Sequence, residues 1–168
     1  MKRLNILVLF VALLLGCQST RYAKFNPAEY ERFKGPGSST IKGRIWLDLG
    51  PNVRVVAKDC KVILEPITSY TKEWYEREVK KGAKLGPPDP RALAFRRVAI
   101  TDENGNFTFK NIPPGRYYIV TKVPFNYFDP DMGLDYLRHC ILYYKIKVKA
   151  KETKRIDLTN LPGHSRNL

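Results

Sequence analysis

Alternating apolar and polar positions recur along most of the chain and predict β-strands. Residues 41–47 read Ile-Lys-Gly-Arg-Ile-Trp-Leu, so that apolar and charged side chains would lie on opposite faces of a strand. Further β-rich segments lie at 53–57, 61–67, 95–101, 106–110, 116–123, 139–149 and 153–159. Many short strands with turn signals between them and few helices are typical of a β-sandwich.

Turn-forming residues suggest how some of these strands pair. Residues 102–105 read Asp-Glu-Asn-Gly and predict a β-hairpin between 95–101 and 106–110, because Asn and Gly tolerate positive φ. The last two segments, 139–149 and 153–159, are close enough in the chain to form a second hairpin. We therefore expect a small antiparallel β-sandwich.

Helical signals appear at two places. Asn26 followed by Pro27 is a typical helix start, and it predicts a short N-terminal helix. Residues 71–81 predict a second helix, which carries Glu–Arg and Glu–Lys pairs at i,i+4 spacing. This helix and the proline-rich segment after it form an insertion at 69–92. A second irregular excursion is expected at 125–135, which contains Pro130.

The first residues indicate export. Lys2 and Arg3 precede an apolar run, Leu4 to Leu15, which is too short to span a bilayer and is typical of a secretory signal. The sequence Leu-Leu-Gly before Cys17 resembles the lipobox of bacterial lipoproteins and implies lipidation of Cys17. The alternative is a plain signal peptide followed by a chance cysteine.

The signal also sets the expected location and division of the chain. In lipoproteins an Asp after the lipidated cysteine favours the inner membrane, so Gln18 favours an outer-membrane protein facing the periplasm. The predicted partner is the membrane, contacted through the N-terminal lipid. The predicted segments are a signal peptide (1–16), a tether with a short helix (17–38), the β-sandwich (39–159) and a C-terminal tail (160–168).

The predicted export also bears on the other two cysteines, Cys60 and Cys140. Outside the cytoplasm, two cysteines in a small domain usually form a disulfide, which predicts a bond between Cys60 and Cys140. The alternative is two buried free thiols. The sequence has two histidines and no short spacing typical of zinc ligands, so no metal site and no cofactor are predicted.

Charge and aromatic residues supply two candidate contact surfaces. The net charge is +14, which favours anionic partners. Alternation in 144–149 would place Lys145, Lys147 and Lys149 on one strand face, either as an anion-binding stripe or as a solvated outer face. Trp74 and Tyr75 would serve recognition, because such rings often anchor interfaces, or would pack the insertion onto the sandwich.

Two stretches resemble carboxypeptidase regulatory-like domains. Residues 99–109 contain Thr-Asp-x-x-Gly-x-Phe, and residues 112–117 read Ile-Pro-Pro-Gly-Arg-Tyr, a Pro-Gly turn leading to a tyrosine-bearing strand. The resemblance covers roughly residues 39–159 and implies a mainly β fold, a small transthyretin-like antiparallel β-sandwich. It implies no catalysis, since the zinc chemistry of the named peptidase belongs to a separate domain.

Four classes of function are compared on these grounds. The chain has no Gly-x-Ser-x-Gly, His-Glu-x-x-His or P-loop pattern, so no catalytic residue is predicted and an envelope enzyme is a remote alternative. Nucleic acid is not an expected partner of an exported domain. We expect a non-catalytic binding module for an anionic envelope component or an envelope protein; the alternative is a structural accessory lipoprotein without a specific ligand.

Overall fold

Two β-sheets pack face to face in the computed structural model, which describes residues 22–167. Alternation in the sequence produces the strands, because it lets each of them bury one face and expose the other. The described residues form nine strands: β1 (Ser39–Gly50), β2 (Val53–Val56), β3 (Lys61–Pro66), β4 (Arg97–Ile100), β5 (Asn106–Ile112), β6 (Gly115–Asp129), β7 (Leu134–Val148), β8 (Thr153–Leu158) and β9 (Ser165–Asn167).

One sheet has four strands and the other has five. In the four-stranded sheet β1 is central: its first half lies between β5, which is antiparallel to it, and β8, which is parallel to it, and its second half pairs antiparallel with β2. The five-stranded sheet has the order β4-β3-β6-β7-β9 and is antiparallel throughout. The predicted β-sandwich is confirmed, with one departure: β1 and β8 are parallel.

The inner faces of both sheets supply the main hydrophobic core. Ile41, Ile45 and Leu47 of β1 are fully buried against Val62 and Leu64 of β3 and the inner residues of β6 and β7. Each fully buried aliphatic side chain of this kind contributes roughly 1.5–3 kcal/mol relative to exposure. Because the inner faces form this shared core, the side chains on the outer faces give each sheet its own surface.

Gly43 interrupts the run of apolar side chains on the inner face of β1 for a steric reason. A Cβ at this position would lie 2.5 Å from ring carbons of Phe107 and 2.5 Å from the carbonyl oxygen of Ile156. The missing side chain lets the Phe107 ring lie directly over β1. The backbone between Lys42 and Arg44 is thereby closely covered from the core side.

The long hairpin of β6 and β7 corrects the expectation of an irregular excursion at 125–135. Pairing continues from Gly115 opposite Val148 to Asp129 opposite Leu134. Pro130 lies in the turn, where it interrupts no strand, and Gly133 completes the turn with φ of 65° and an N–H donated to the carbonyl of Asp129 at 2.8 Å. Beyond the pairing with β3 and β9, the hairpin continues as a two-stranded ribbon.

The two expected hairpins, of 95–101 with 106–110 and of 139–149 with 153–159, are wrong. Residues 102–105 form the predicted tight turn, in which the Asp102 carboxylate accepts N–H bonds from Asn104 and Asn106 at 2.9 and 2.8 Å. This turn nevertheless connects β4 of one sheet to β5 of the other. The connection after β7 also crosses between sheets, so β8 pairs with β1. The turn residues determine that the chain reverses direction locally. Packing of the core determines which sheet the next strand joins.

Short helices cover parts of the outer surface. Asn26 caps the first of two 3-10 turns, Pro27–Glu29 and Glu31–Phe33, as its side chain accepts the N–H of Ala28. The insertion contains an α-helix, Ser69–Glu73, which continues as a π-helix, Trp74–Val79; a second short helix is Pro90–Leu93. None of the helices in residues 22–167 is long and apolar enough to cross a membrane.

Candidate functional site

The outer face of the four-stranded sheet is open and polar at its centre. Six side chains from three adjacent strands line a shallow concavity of about 530 Å³. All six are exposed, and we call them the cationic face: Lys42 and Arg44 of β1, Asn106 and Thr108 of β5, and Arg155 and Asp157 of β8.

The strand registers arrange the cationic face as two rows across the sheet. Lys42 lies between Thr108 on β5 and Arg155 on β8, and these three residues form the first row. Arg44 lies between Asn106 and Asp157, which form the second row. Neighbouring strands are about 4.8 Å apart and alternate residues along a strand about 6.6 Å apart, so the six positions form a compact grid.

The charges on this face are unevenly compensated. Among residues 22–167, neither Lys42 nor Arg155 forms an ion pair, although they are cross-strand neighbours. Arg44 donates its Nε–H to the carbonyl of Asn104 at 2.9 Å, which orients its guanidinium. Three cations therefore face solvent beside one carboxylate, that of Asp157.

Trp46 extends this face along β1, two residues beyond Arg44. Its Nε1–H donates to one carboxylate oxygen of Asp48 at 3.0 Å, and Arg54 Nε donates to the other at 2.8 Å. The Arg54 guanidinium lies 4.9 Å from the centre of the Trp46 ring. These contacts fix the orientation of a partly buried indole next to the polar grid.

A fixed aromatic ring beside hydrogen-bonding and charged groups can bind a ligand that has both apolar and polar surface. Arg and Lys can only donate hydrogen bonds, Asp157 only accepts when ionised, and Asn106 and Thr108 can do both. Within residues 22–167, no group of three or more His, Cys, Asp or Glu side chains is arranged to hold a metal ion. The chemistry available on this face is recognition by hydrogen bonds, charge and ring contact.

The predicted lipidation site, Cys17, lies outside the described residues. The predicted disulfide is contradicted, because Cys60 and Cys140 are both free, buried thiols. Extending the β3–β6 register by two residues places Cys60 opposite Val123, which itself pairs with Cys140. Two strand spacings, about 9.6 Å, separate the cysteines, more than the roughly 7 Å between Cα atoms that a disulfide spans.

Trp74 and Tyr75 pack the insertion onto the outer face of the five-stranded sheet. Their exposed fractions are 7% and 4%, so they do not form an exposed recognition surface. The Tyr75 ring stacks on Tyr118 at a centroid distance of 3.9 Å and meets Tyr143 edge-on at 5.8 Å. The packing interpretation of these aromatics is therefore the one that agrees with the structure.

The lysine stripe lies on the same outer face as the insertion. Alternation along β7 is as predicted: Lys145 and Lys147 are exposed, the intervening Ile146 is buried, and Lys149 is exposed just beyond the strand. Lys145 Nζ lies 3.3 Å from a carboxylate oxygen of Glu76 and 4.9 Å from the centre of the Tyr75 ring. Lys145 thus belongs to the packing of the insertion, whereas Lys147 and Lys149 form no ion pair within residues 22–167.

A buried carboxylate lies beneath the insertion. Glu65, 2% exposed, pairs with Arg96 through Oε1, and its Oε2 has no hydrogen-bond partner in the described part of the chain. Burial raises the pKa of this carboxyl, and the nearby Arg96 opposes the rise. The adjoining cavity of about 10 Å³ is lined by Tyr70 and Trp74 among others and is the size of one water molecule.

Sequence reasoning found the strand of Lys42 and Arg44 but missed the face to which they belong. The available signal was the alternation of charged with apolar residues in both 41–47 and 153–158. Their parallel pairing joins segments more than a hundred residues apart, and no local pattern predicts it. The grid of six side chains becomes visible only after that pairing is known.

The fold and this surface define a β-sandwich with an open polar sheet face. The chain is similar to the crystal structure described as "a putative carbohydrate binding protein (PA1324) from Pseudomonas aeruginosa", with 26% identity, a TM-score of 0.71 and coverage of 83% of this chain and 99% of that chain. It is similar at 20% identity to BcpA, the major pilin subunit of Bacillus cereus, over 74% of this chain and 29% of that chain, with a TM-score of 0.41. No protein-family model and no curated protein matches the chain.

Proposed function

We propose that this protein is a binding module for a carbohydrate of the bacterial cell envelope, and that the cationic face with Trp46 is its binding surface. The observation that carries the proposal is the similarity to the Pseudomonas aeruginosa protein, which extends over 99% of that chain. Because the match also covers 83% of this chain, it supports extending the binding role to this β-sandwich.

The composition of the face supports a carbohydrate as the ligand. Sugars present hydroxyl groups, which both donate and accept hydrogen bonds, and apolar C–H faces that lie against aromatic rings. Asn106 and Thr108 provide both donors and acceptors, Asp157 accepts, and Trp46 provides a ring. The surface is broad and shallow, which suits a polymer that passes across the sheet better than a small molecule that needs enclosure.

Membrane anchoring completes the proposed role. Lipidation of Cys17 after signal cleavage would hold the module at the membrane, in our proposal the outer membrane on its periplasmic side. Fatty-acid labelling that disappears in Cys17→Ala tests the anchor independently of ligand binding. The alternative, an accessory lipoprotein held by lipid and charge, requires no specific ligand and is tested by the binding experiment below.

Affinity electrophoresis in gels that contain dextran, polygalacturonate or solubilised peptidoglycan tests the proposed function. The soluble mature chain with Cys17→Ser should be retarded by at least one of these polymers. Trp46→Ala should lose the retardation, because the ring contact is removed while the inner core is left intact.

The matched control is Phe128→Ala, which removes an aromatic that is 58% exposed on the β6–β7 ribbon, away from the face. Retardation that persists in Trp46→Ala and disappears in Phe128→Ala would move the site to the ribbon. Absence of retardation by every polymer would leave the accessory alternative.

A further inference from the structure

We propose that the ligand of the cationic face is an anionic polysaccharide, whose carboxylate or phosphate groups are bound by Lys42, Arg44 and Arg155. This inference rests on the proposed function and names the class of carbohydrate. It is carried by three cations that the fold brings together on this face and that form no ion pair among residues 22–167.

The first step is the pair formed by Lys42 and Arg155. They are direct cross-strand neighbours on parallel strands, and both side chains are exposed on the outer face. Like charges opposite each other on a sheet are destabilising. Neither has an ion-pair partner among residues 22–167, so the repulsion is not relieved within the described chain. An anion placed between them would relieve it.

The second step is the position of Arg44 one row away. Its guanidinium is held by the Asn104 carbonyl through Nε. The nearby Asp102 carboxylate accepts hydrogen bonds from the side chain and backbone N–H of Asn106, and these bonds are the main reason that its pKa is lowered; the charge of Arg44 adds a smaller effect. Arg44 lies about 6.6 Å along the strand from Lys42. Cations in two successive rows at this spacing match a ligand that carries charges repeatedly along its length.

The third step is the asymmetry of the acidic residues near the face. Asp48 is occupied by Trp46 and Arg54, which leaves Asp157 as the carboxylate on the grid. Three cations and one carboxylate give a local excess of positive charge. This excess attracts the charged groups of an anionic ligand. A neutral glycan would gain nothing from this excess.

The experiment compares polygalacturonate with its fully methyl-esterified form, which keeps the sugar chain and removes the charges. The mature chain with Cys17→Ser should bind polygalacturonate at least about tenfold more tightly than the ester, and the preference should fall as salt rises. A phosphomannan in a parallel arm distinguishes phosphate from carboxylate, and duplex DNA serves as a competitor.

Matched variants assign the effect to the face. The triple variant Lys42→Gln, Arg44→Gln, Arg155→Gln should lose the preference for the charged polymer. Lys122→Gln, Lys147→Gln, Lys149→Gln removes the same net charge from exposed positions of the five-stranded sheet and should keep it. Melting curves of both variants check that the fold is retained. If a triple variant does not fold, the three single substitutions are measured in its place.

The outcomes separate this inference from the proposed function. Equal binding of polygalacturonate and its ester, abolished by Trp46→Ala, overturns the anionic ligand and keeps the carbohydrate site. Retention of the preference in the face variant overturns the assignment to these cations. Tighter binding of DNA than of either charged glycan overturns the inference in favour of nucleic acid.

Discussion

Glu65 shows how one residue links the insertion to the sheet beneath it. Its carboxylate is enclosed on the outer face of β3, paired with Arg96 on one oxygen and unpaired on the other. Because burial raises the pKa of Glu65 in the folded protein, the folded state holds its proton to higher pH than the unfolded chain does. The associated stability is fully present below the unfolded pKa and is lost as pH rises through the folded pKa.

We expect Glu65→Gln to remove this pH dependence while it preserves the shape of the side chain and a hydrogen bond to Arg96. Relative to the variant, the wild-type protein should become less stable as pH rises above the unfolded pKa of a glutamate, about 4.3, and through the higher pKa of the folded state. Urea unfolding at a series of pH values measures the difference. A difference that stays flat across the pH series would contradict the buried titration of Glu65.

Individual residues were also where sequence reasoning succeeded and failed most clearly. Asn26 caps its turn as predicted, since this interaction depends only on residues two positions apart. The Cys60–Cys140 disulfide failed because cysteine usage reports the compartment and not the distance between strands. Val123 lies between the two cysteines, a relation that follows from the order β3-β6-β7 and from no local signal.

At the scale of elements, the insertion acts as a cover for the five-stranded sheet. Helical ion pairs predicted from spacing are present: Glu73 with Arg77 at 3.5 Å and Glu76 with Lys80 at 3.0 Å. The second half is nevertheless a π-helix, in which the Lys80 N–H reaches the carbonyl of Tyr75. The sequence predicted the helix but not this widening, which accompanies the burial of its aromatic side against Tyr118 and Tyr143.

We expect Tyr75→Ala to lower the free energy of unfolding by about 3 kcal/mol, because it leaves a cavity between the helix and the sheet. Tyr75→Phe should be nearly neutral, since the stacking on Tyr118 remains and no hydrogen bond of the Tyr75 hydroxyl is seen in the described chain. Thermal and urea unfolding measure both variants. Unchanged stability of Tyr75→Ala together with loss of a binding partner would restore the recognition role.

The sequence predicts where strands lie better than it predicts which strands pair. Alternation located β1 and β2 closely, and the Asp-Glu-Asn-Gly turn formed where expected. The same turn gave the wrong partner for β5, since a tight turn can close a hairpin or bridge two sheets. Only the packing of Phe107 over Gly43 and of the other inner residues decides between these outcomes.

At the scale of the whole molecule, the two sheet faces point in opposite directions and carry different cations. Tyr22, the first described residue, stacks on Tyr70 at 4.8 Å and contacts Glu78, so the described chain begins beside the insertion. The proposed lipid on Cys17 is five residues earlier, within about 18 Å of extended chain. Anchoring there would keep the five-stranded side near the membrane and direct the cationic face away from it.

This arrangement predicts separate roles for the two cationic surfaces. Lys147 and Lys149 are exposed on the side that the proposed anchor would hold near acidic headgroups, whereas Lys42, Arg44 and Arg155 lie on the opposite side. Lys147→Gln with Lys149→Gln should weaken binding of the unlipidated chain to anionic vesicles and leave polygalacturonate binding unchanged. Lys42→Gln with Arg155→Gln should do the reverse.

Vesicle flotation across a salt series, with neutral vesicles as the reference, measures the membrane contact, and affinity electrophoresis measures the glycan contact. Headgroup binding should fall as salt rises, because the screening length shortens to about 3 Å at 1 M. Equal loss of both activities in both variants would mean that the chain responds to net charge alone. A loss of vesicle binding confined to the Lys42 and Arg155 variant would place the cationic face against the membrane and reverse the proposed orientation.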